Sequence, residues 1–211
     1  NGSDNLFEGW LTIQTKAASV VLYDPMNGEY GKASIRNAHA DSTEVFVQLQ
    51  KQQTLILETY ESGVEVASFR YHSSNGSSHP IKGTWKISFE SGGPKLPSPV
   101  ETENLTSWTT FGTTDYPEFS GTANYSITFT KPQQDADGWL IDLGVVKESA
   151  DVVINGNSMG TLIGPVFQLY VDDAVLKENN ILEVRVSSLM ANRIADMDRR
   201  KVFWRKFYNV N

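Results

Sequence analysis

Apolar and polar residues alternate along most of this chain. In the C-terminal two thirds, the apolar positions of the alternating segments are Trp85, Ile87 and Phe89; Ala123, Tyr125, Ile127 and Phe129; Phe167, Leu169 and Val171; and Leu182, Val184 and Val186. Successive side chains of a strand point to opposite faces, so a period of two predicts half-buried strands. Four more strands are predicted in the first third, at SVVLYD (19–24), EVFVQLQ (44–50), TLILETY (54–60) and VEVASFRY (64–71).

Helical periodicity is nearly absent. It predicts one helical turn in DDAVLKEN (172–179) and one short helix in LMANRIADMDRR (189–200). Many short strands separated by turn signals are typical of an all-β sandwich. The pattern therefore predicts an all-β fold.

The segment ADVVINGNSMGTLIGP (150–165) predicts a β-hairpin. Asn155-Gly156 separates two alternating runs, and both residue types tolerate the positive φ that a two-residue hairpin turn needs. We expect Gly160 to permit a close approach of another backbone, and Gly164-Pro165 to end the second strand.

Two segments without periodicity divide the chain. HSSNGSSHP (72–80) is crowded with turn-forming residues and predicts a boundary between a smaller β-rich segment, residues 1–80, and a larger domain, residues 81–211. The second segment, 90–121, is predicted to be irregular, and long connections of this kind are usually functional or packed on a neighbour.

Composition and charge narrow the functional classes. The 211 residues are 39% hydrophobic and 20% charged, which is ordinary for a soluble globular protein. A net charge of −7 argues against a nucleic-acid partner, and the basic run RRKVFWRKF (199–207) is interpreted as a segment whose apolar residues pack. No stretch is long and apolar enough to span a membrane, and no signal peptide is present in the sequence.

Local motifs show no catalytic machinery and indicate no cofactor. The histidines at 39, 72 and 79 form no metalloprotease pattern, and cysteine is absent, which excludes thiolate metal sites. The sequence DADG (135–138) has two of the acidic residues of a calcium loop but lacks the others, so a polar hairpin turn is predicted there and no structural calcium is indicated.

The aromatic residues of the irregular segment allow two interpretations. Trp108, Phe111, Tyr116 and Phe119 do not belong to an alternating strand. Exposed rings next to polar groups suit carbohydrate, whose C–H faces stack on them, so Trp108, Tyr116 and Phe119 are candidate carbohydrate-binding residues. Alternatively, the rings are buried and plug an open end of the sandwich.

Three segments together resemble the sugar-binding-type jelly roll of glycoside hydrolase families 2 and 106. They are GTWKISFESGGP (83–94), FSGTANYSITFTKP (119–132) and the block 139–194, which contains DLGVV, VVING and NNILEVRV followed by Asn192-Arg193. The resemblance covers about residues 81–211. Residues 1–80 are similar to the β-rich segment that precedes this domain, with YDPMNGEYG (23–31) as a strand–turn–strand.

The resemblance implies a galactose-binding-like jelly roll in an α-L-rhamnosidase-like hydrolase that breaks down plant or other complex polysaccharides. The chain is too short to add a (β/α)₈ barrel, which takes about 250 residues. We therefore expect a non-catalytic accessory part or fragment of a larger bacterial enzyme, periplasmic or extracellular, whose partners are carbohydrate and the remaining domains. An autonomous carbohydrate-binding module and a structural sandwich without ligand are the alternatives.

The resemblance also implies a role for the segment after the last strand, which in family 2 approaches the catalytic barrel. Here it contains Asn192, Arg193, Asp196 and Asp198, whose side chains can bind sugar hydroxyls. The alternative is that Asp196 or Asp198 pairs with a nearby arginine, at 193, 199 or 200, and caps the sandwich.

Overall fold

The computed structural model of the protein describes residues 5–39, 41–74 and 76–204. The chain divides into two compact units, Asn1–Ser78 and His79–Asn211. Almost all of their regular structure is strand, as the alternation predicts.

Unit 1 contains two antiparallel sheets of three strands. The first has the order β1-β5-β4, formed by β1 (Phe7–Ile13), β4 (Ile35–His39) and β5 (Ser42–Leu49). The second has the order β3-β2-β6, formed by β2 (Ser19–Tyr23), β3 (Tyr30–Lys32) and β6 (Ile56–Tyr60). The predicted strand–turn–strand at residues 23–31 is confirmed by β2 and β3.

The core of unit 1 joins both sheets. Its buried side chains include Val20 and Leu22 from β2, Val45 and Val47 from β5, and Phe69 from the segment after β6. The strand predicted over residues 64–71 is wrong, because that segment makes only an isolated parallel bridge between Ser68 and Lys32. Its neighbour β3 is three residues long and provides little backbone to pair with.

Unit 2 has a large sheet and a small one. The large sheet has the order β12-β11-β14-β9-β7-β8, and its strands are β7 (Trp85–Gly93), β8 (Val100–Thr102), β9 (Ser120–Thr130), β11 (Ser149–Ile154), β12 (Asn157–Ile163) and β14 (Asn179–Ser187). The small sheet pairs β10 (Gly138–Asp142) with β13 (Gln168–Asp172). Two helices, α1 (Asp115–Glu118) and α2 (Ala191–Arg199), and two short 3-10 turns, at Trp108–Thr110 and Asp173–Val175, complete the part of unit 2 that the structure describes.

The two sheets of unit 2 form a sandwich around one core. Val152 and Val184 from the large sheet and Val171 from the small sheet are buried in the same cluster. The predicted alternation is confirmed on β7, where Trp85, Ile87 and Phe89 are buried and the residues between them are exposed.

The predicted hairpin is confirmed between β11 and β12. Ile154 pairs with Asn157, and the two loop residues Asn155 and Gly156 have φ of 52° and 81°. The close approach expected at Gly160 is wrong, since no atom lies within 4 Å of the position a Cβ would take there. Its φ of 118° accompanies an irregularity in the β11–β12 pairing.

Two further expectations are corrected by the structure. The segment 90–121 is more regular than predicted, because β7 continues to Gly93 and is followed by β8, a 3-10 turn and α1. DADG (135–138) is not a hairpin turn, since β9 and β10 belong to different sheets and the chain crosses between the sheets there.

Candidate functional site

Most of the candidate residues lie at one end of unit 2. There β9 and β11 begin and β7, β12 and β14 end, as shown by the pairing of Gly93 with Ser120 and of Ser149 with both Ile163 and Ser187. The helix α2 follows β14 at this end, which we call the α2 end.

The aromatic candidates form a packed cluster beside α1. The Phe119 ring makes edge contacts with Phe89 and Trp108 at centroid distances of 5.1 and 5.6 Å. Trp108 is 6% exposed and Phe119 is fully buried, so neither ring offers a free face for a sugar to stack on. The burial favours the interpretation that these rings plug the sandwich.

Tyr116 completes this cluster from α1. Its ring is half-buried and contacts Phe89 edge-on at 5.7 Å, and its hydroxyl donates to the Ser98 carbonyl at 3.1 Å. Phe111 is half-buried against it at 6.2 Å. An exposed aromatic platform is therefore not formed by this group.

The first two candidates of α2 attach the helix to the start of β9 and to the residue before it. The Asn192 side-chain amide donates to the Phe119 carbonyl at 3.1 Å, and the Arg193 backbone N–H donates to the Ser120 hydroxyl at 3.1 Å. The Asn192 amide therefore holds α2 against the start of β9.

Asp196 is a buried carboxylate with two arginine partners. It is 4% exposed and accepts from Arg199 at 2.8 Å and from Arg200 at 2.7 Å. The Arg199 hydrogen bond above all, with Arg200 and Glu118, holds the pKa of the Asp196 carboxyl below its usual value, although burial opposes the shift. The alternative of mutual pairing is thus confirmed for Asp196.

Two charged candidates are available at the same end. The Arg193 guanidinium lies beside the backbone of Gly93, where an added Cβ would be 2.8 Å from an Arg193 nitrogen. Asp198 is exposed on α2. Within the described part of the chain, neither charged group has an ion-pair partner.

Several large apolar side chains are exposed at the same end of unit 2. Two loops at this end carry Val145 at 88% exposure and Leu189 at 62%, and Ile163, the last residue of β12, is 59% exposed. After α2, Phe203 is 78% exposed, so the expectation that the apolar residues of 199–207 pack is wrong for this side chain. Residues 205–207 lie outside the described ranges. The sequence analysis missed this group of exposed apolar side chains because alternation does not show which loops and strand ends the fold brings to the same end of the sandwich.

Among the residues the structure describes, no three His, Cys, Asp or Glu side chains group as metal ligands would. None of the described helices is long and apolar enough to cross a membrane.

Comparison with known proteins relates the chain to parts of much longer ones. No family model matches it. A putative beta-glucuronidase from Formosa agariphila is 36% identical over 117 residues, which are 54% of this chain and 10% of that protein.

Solved structures show the same partial coverage. The structure of a rhamnosidase from Novosphingobium sp. PP1Y superposes with a TM-score of 0.73 at 22% identity, over 93% of this chain and 19% of that chain. A beta-glucuronidase structure from Bifidobacterium dentium gives a TM-score of 0.43 at 23% identity, over 56% of this chain and 21% of that one. The chain thus spans about a tenth to a fifth of these relatives, and it shares the all-β fold of one part of the rhamnosidase.

Proposed function

We propose that this chain is a non-catalytic accessory part of a larger, α-L-rhamnosidase-like glycoside hydrolase that acts on complex polysaccharides. In this proposal unit 2 is a galactose-binding-like jelly roll. The fold shared with part of the rhamnosidase and the 36% identity to part of the putative beta-glucuronidase support it.

The apolar α2 end is the observation that carries the proposal. A soluble domain rarely exposes several large apolar side chains at one place unless a partner covers them. Val145 and Leu189 come from two different loops and Ile163 is the last residue of β12, and the sandwich brings all three to the same end. We infer that this end packs against the remaining hydrolase.

The charged groups at this end suit a contact near the substrate. Arg193 provides a fixed fork of donors, and Asp198 provides acceptors for hydroxyl groups. Asn192 and Asp196 instead hold α2 in place, as their bonds to Phe119 and to the two arginines indicate. A location outside the bacterial cytoplasm, expected from the resemblance, belongs to the same proposal.

A charged residue placed among the exposed apolar side chains of the α2 end tests the docking. Leu189→Glu should leave the melting temperature of the 211-residue chain unchanged, because the side chain is 62% exposed. In the full-length polypeptide encoded by the same gene, it should open the junction to limited proteolysis. Ile181→Glu is the control, since Ile181 is 48% exposed near the start of β14, and strand alternation places its side chain on the opposite face from the buried Leu182.

Equal proteolysis of the two variants in the full-length polypeptide would contradict docking through the α2 end. A gene that encodes this chain without further domains would contradict the accessory role itself.

A further inference from the structure

Unit 1 contains an open groove with a volume of about 610 Å³. The loop between β1 and β2, the first two residues of β4 and the residue after β6 line it. The lining residues are Lys16, Ala17, Ala18, Ile35, Arg36 and Glu61. Small-molecule sites are usually clefts of about 300–1,000 Å³ that combine apolar lining with a few polar groups. The groove is therefore large enough for one or two sugar residues.

The apolar part of the lining is fixed in place. The Ala17 N–H donates to the Thr43 hydroxyl at 3.0 Å, and the Ala18 N–H donates to the Tyr60 carbonyl at 2.8 Å. These bonds tie the loop between β1 and β2 to β5 and β6. Ile35 packs on the core of unit 1. A ligand in the groove would thus meet an apolar surface that is already ordered.

Arg36 is held in one orientation by two neighbours. Its guanidinium carbon lies 4.3 Å from the centroid of the Trp10 ring, and its Nε donates to Glu44 Oε2. The stack fixes the plane of the guanidinium, and the Nε bond fixes its rotation in that plane. The side chain is still 54% exposed. Its terminal N–H groups therefore remain to bind a ligand, with little side-chain entropy left to lose.

Two further charged side chains line the groove. Within the described part of the chain, neither Lys16 nor Glu61 has an ion-pair partner. The lining has two cations and one anion, while the whole chain has a net charge of −7, and Glu44 bonds Arg36 from outside the lining. A positive lining in an acidic protein favours a ligand that carries negative charge.

We propose that this groove binds an acidic sugar of a glycan, with its oxyanion on Arg36 and Lys16. The oxyanion is a carboxylate or a sulfate, because the arginine fork donates in parallel to two oxygens of either group. Glu61 accepts from sugar hydroxyls, and the apolar lining contacts the C–H groups. The choice of a glycan rests on the proposed function, but every residue of the site belongs to unit 1 and none to the α2 end.

Isothermal titration calorimetry of the 211-residue chain tests the site. The ligands are hexagalacturonate, a sulfated hexasaccharide of κ-carrageenan and neutral cellohexaose. We expect binding of at least one acidic hexasaccharide and none of cellohexaose, and the one that binds distinguishes carboxylate from sulfate. Arg36→Ala should weaken this binding at least about tenfold, because the charge-assisted pair of hydrogen bonds is lost. Arg36→Lys, which keeps the charge without the fork, should bind with intermediate affinity.

Arg185→Ala is the matched control. Arg185 lies on β14 of unit 2 with its Nε 3.6 Å from Glu90 Oε2, and its side chain is 46% exposed. Its removal changes the net charge as Arg36→Ala does and should leave the affinity unchanged. Lys16→Ala, at an exposed loop position, should weaken the binding even if Arg36→Ala fails to fold.

The proposal is overturned if neither acidic hexasaccharide binds, or if Arg36→Ala and Lys16→Ala leave the binding unchanged. Equal weakening by Arg185→Ala, or equally tight binding of cellohexaose, would also overturn it, because the groove would then not recognise the oxyanion. None of these results bears on the docking of the α2 end, which Leu189→Glu tests in the full-length polypeptide.

Discussion

At the scale of single residues, two asparagines connect the β11–β12 hairpin to β14. Asn180 is 1% exposed, and its Oδ1 accepts from the Asn155 amide at 2.9 Å and from the Lys177 N–H at 2.8 Å. Its own amide donates to the Lys177 carbonyl at 2.7 Å. Asn155 thus does more than form the turn, because its Oδ1 also accepts from the Ile181 N–H at 3.0 Å.

Replacing Asn180 with alanine should destabilise unit 2 by about 1–3 kcal/mol. The substitution removes the partner of the Lys177 N–H and carbonyl and leaves the Asn155 amide only its long bond to the Val175 carbonyl at 3.5 Å, and each partly buried group without a partner costs part of its desolvation energy. Urea unfolding combined with hydrogen exchange of the β11 and β14 amides measures the loss in the intact chain.

Asn157→Ala is the matched control for this measurement. Asn157 is exposed in the same hairpin, and its side chain makes one long bond, at 3.5 Å, to the Asn155 carbonyl. Equal losses for the two variants would show that the Asn180 network does not stabilise the hairpin.

At the scale of elements, local sequence patterns predict the core strands, but they fail where the formation of a strand depends on the strand it pairs with. The hairpin at Asn155-Gly156 and the short helix in 189–200 follow from turn chemistry and period, and both are confirmed. The strand predicted over 64–71 is wrong because three-residue β3 offers too little backbone, a fact of pairing that its own sequence does not contain. β8 was not predicted either, because it lies in a segment without periodicity.

The candidate site was predictable only in its outline. Sequence reasoning identified the α2 residues, but the choice between sugar contact and internal pairing depends on contacts between residues far apart in sequence, such as Asn192 and Phe119, which are 73 positions apart. The burial of Trp108 is also set by partners distant in sequence.

The attachment of α2 should depend on pH through Asp196. Because its pKa is lowered in the folded chain, the carboxylate stabilises the fold fully above its unfolded pKa of about 3.9. This contribution is lost as the pH falls through the lower, folded value. Thermal unfolding between about pH 6 and pH 2 should therefore show a steeper acid loss for the native chain than for Asp196→Asn.

Asp198→Asn serves as the comparison for Asp196, since Asp198 is exposed on the same helix. Its acid unfolding should match that of the native chain. A native-like profile for Asp196→Asn would mean that the bonds to Arg199 and Arg200 do not stabilise the attachment of α2.

At the scale of the whole molecule, the buried acids serve structure. Asp24 in unit 1 and Asp196 in unit 2 are the two buried carboxylates among the described residues. Asp24 accepts from the Met26 N–H at 2.8 Å and from the Gln53 amide at 2.7 Å. Asp196 is held by two arginines. Asp24 is thus held by hydrogen-bond donors of its own unit, and Asp196 is stabilised as an anion by its arginines, which is unsuitable for a general acid that must hold a proton.

The 211-residue chain should accordingly hydrolyse no aryl glycoside above background. Glycoside hydrolysis usually requires a protonated acid and a second carboxylate about 5–9.5 Å apart on either side of the scissile bond. Release of nitrophenol from aryl α-rhamnosides and β-glucuronides, measured at several enzyme concentrations, checks the expectation. Turnover that scales with the chain and disappears on substitution of one of its own carboxylates would show that it is catalytic. Turnover unaffected by Asp24→Asn, Asp196→Asn and substitution of each exposed acid would instead identify a contaminating hydrolase.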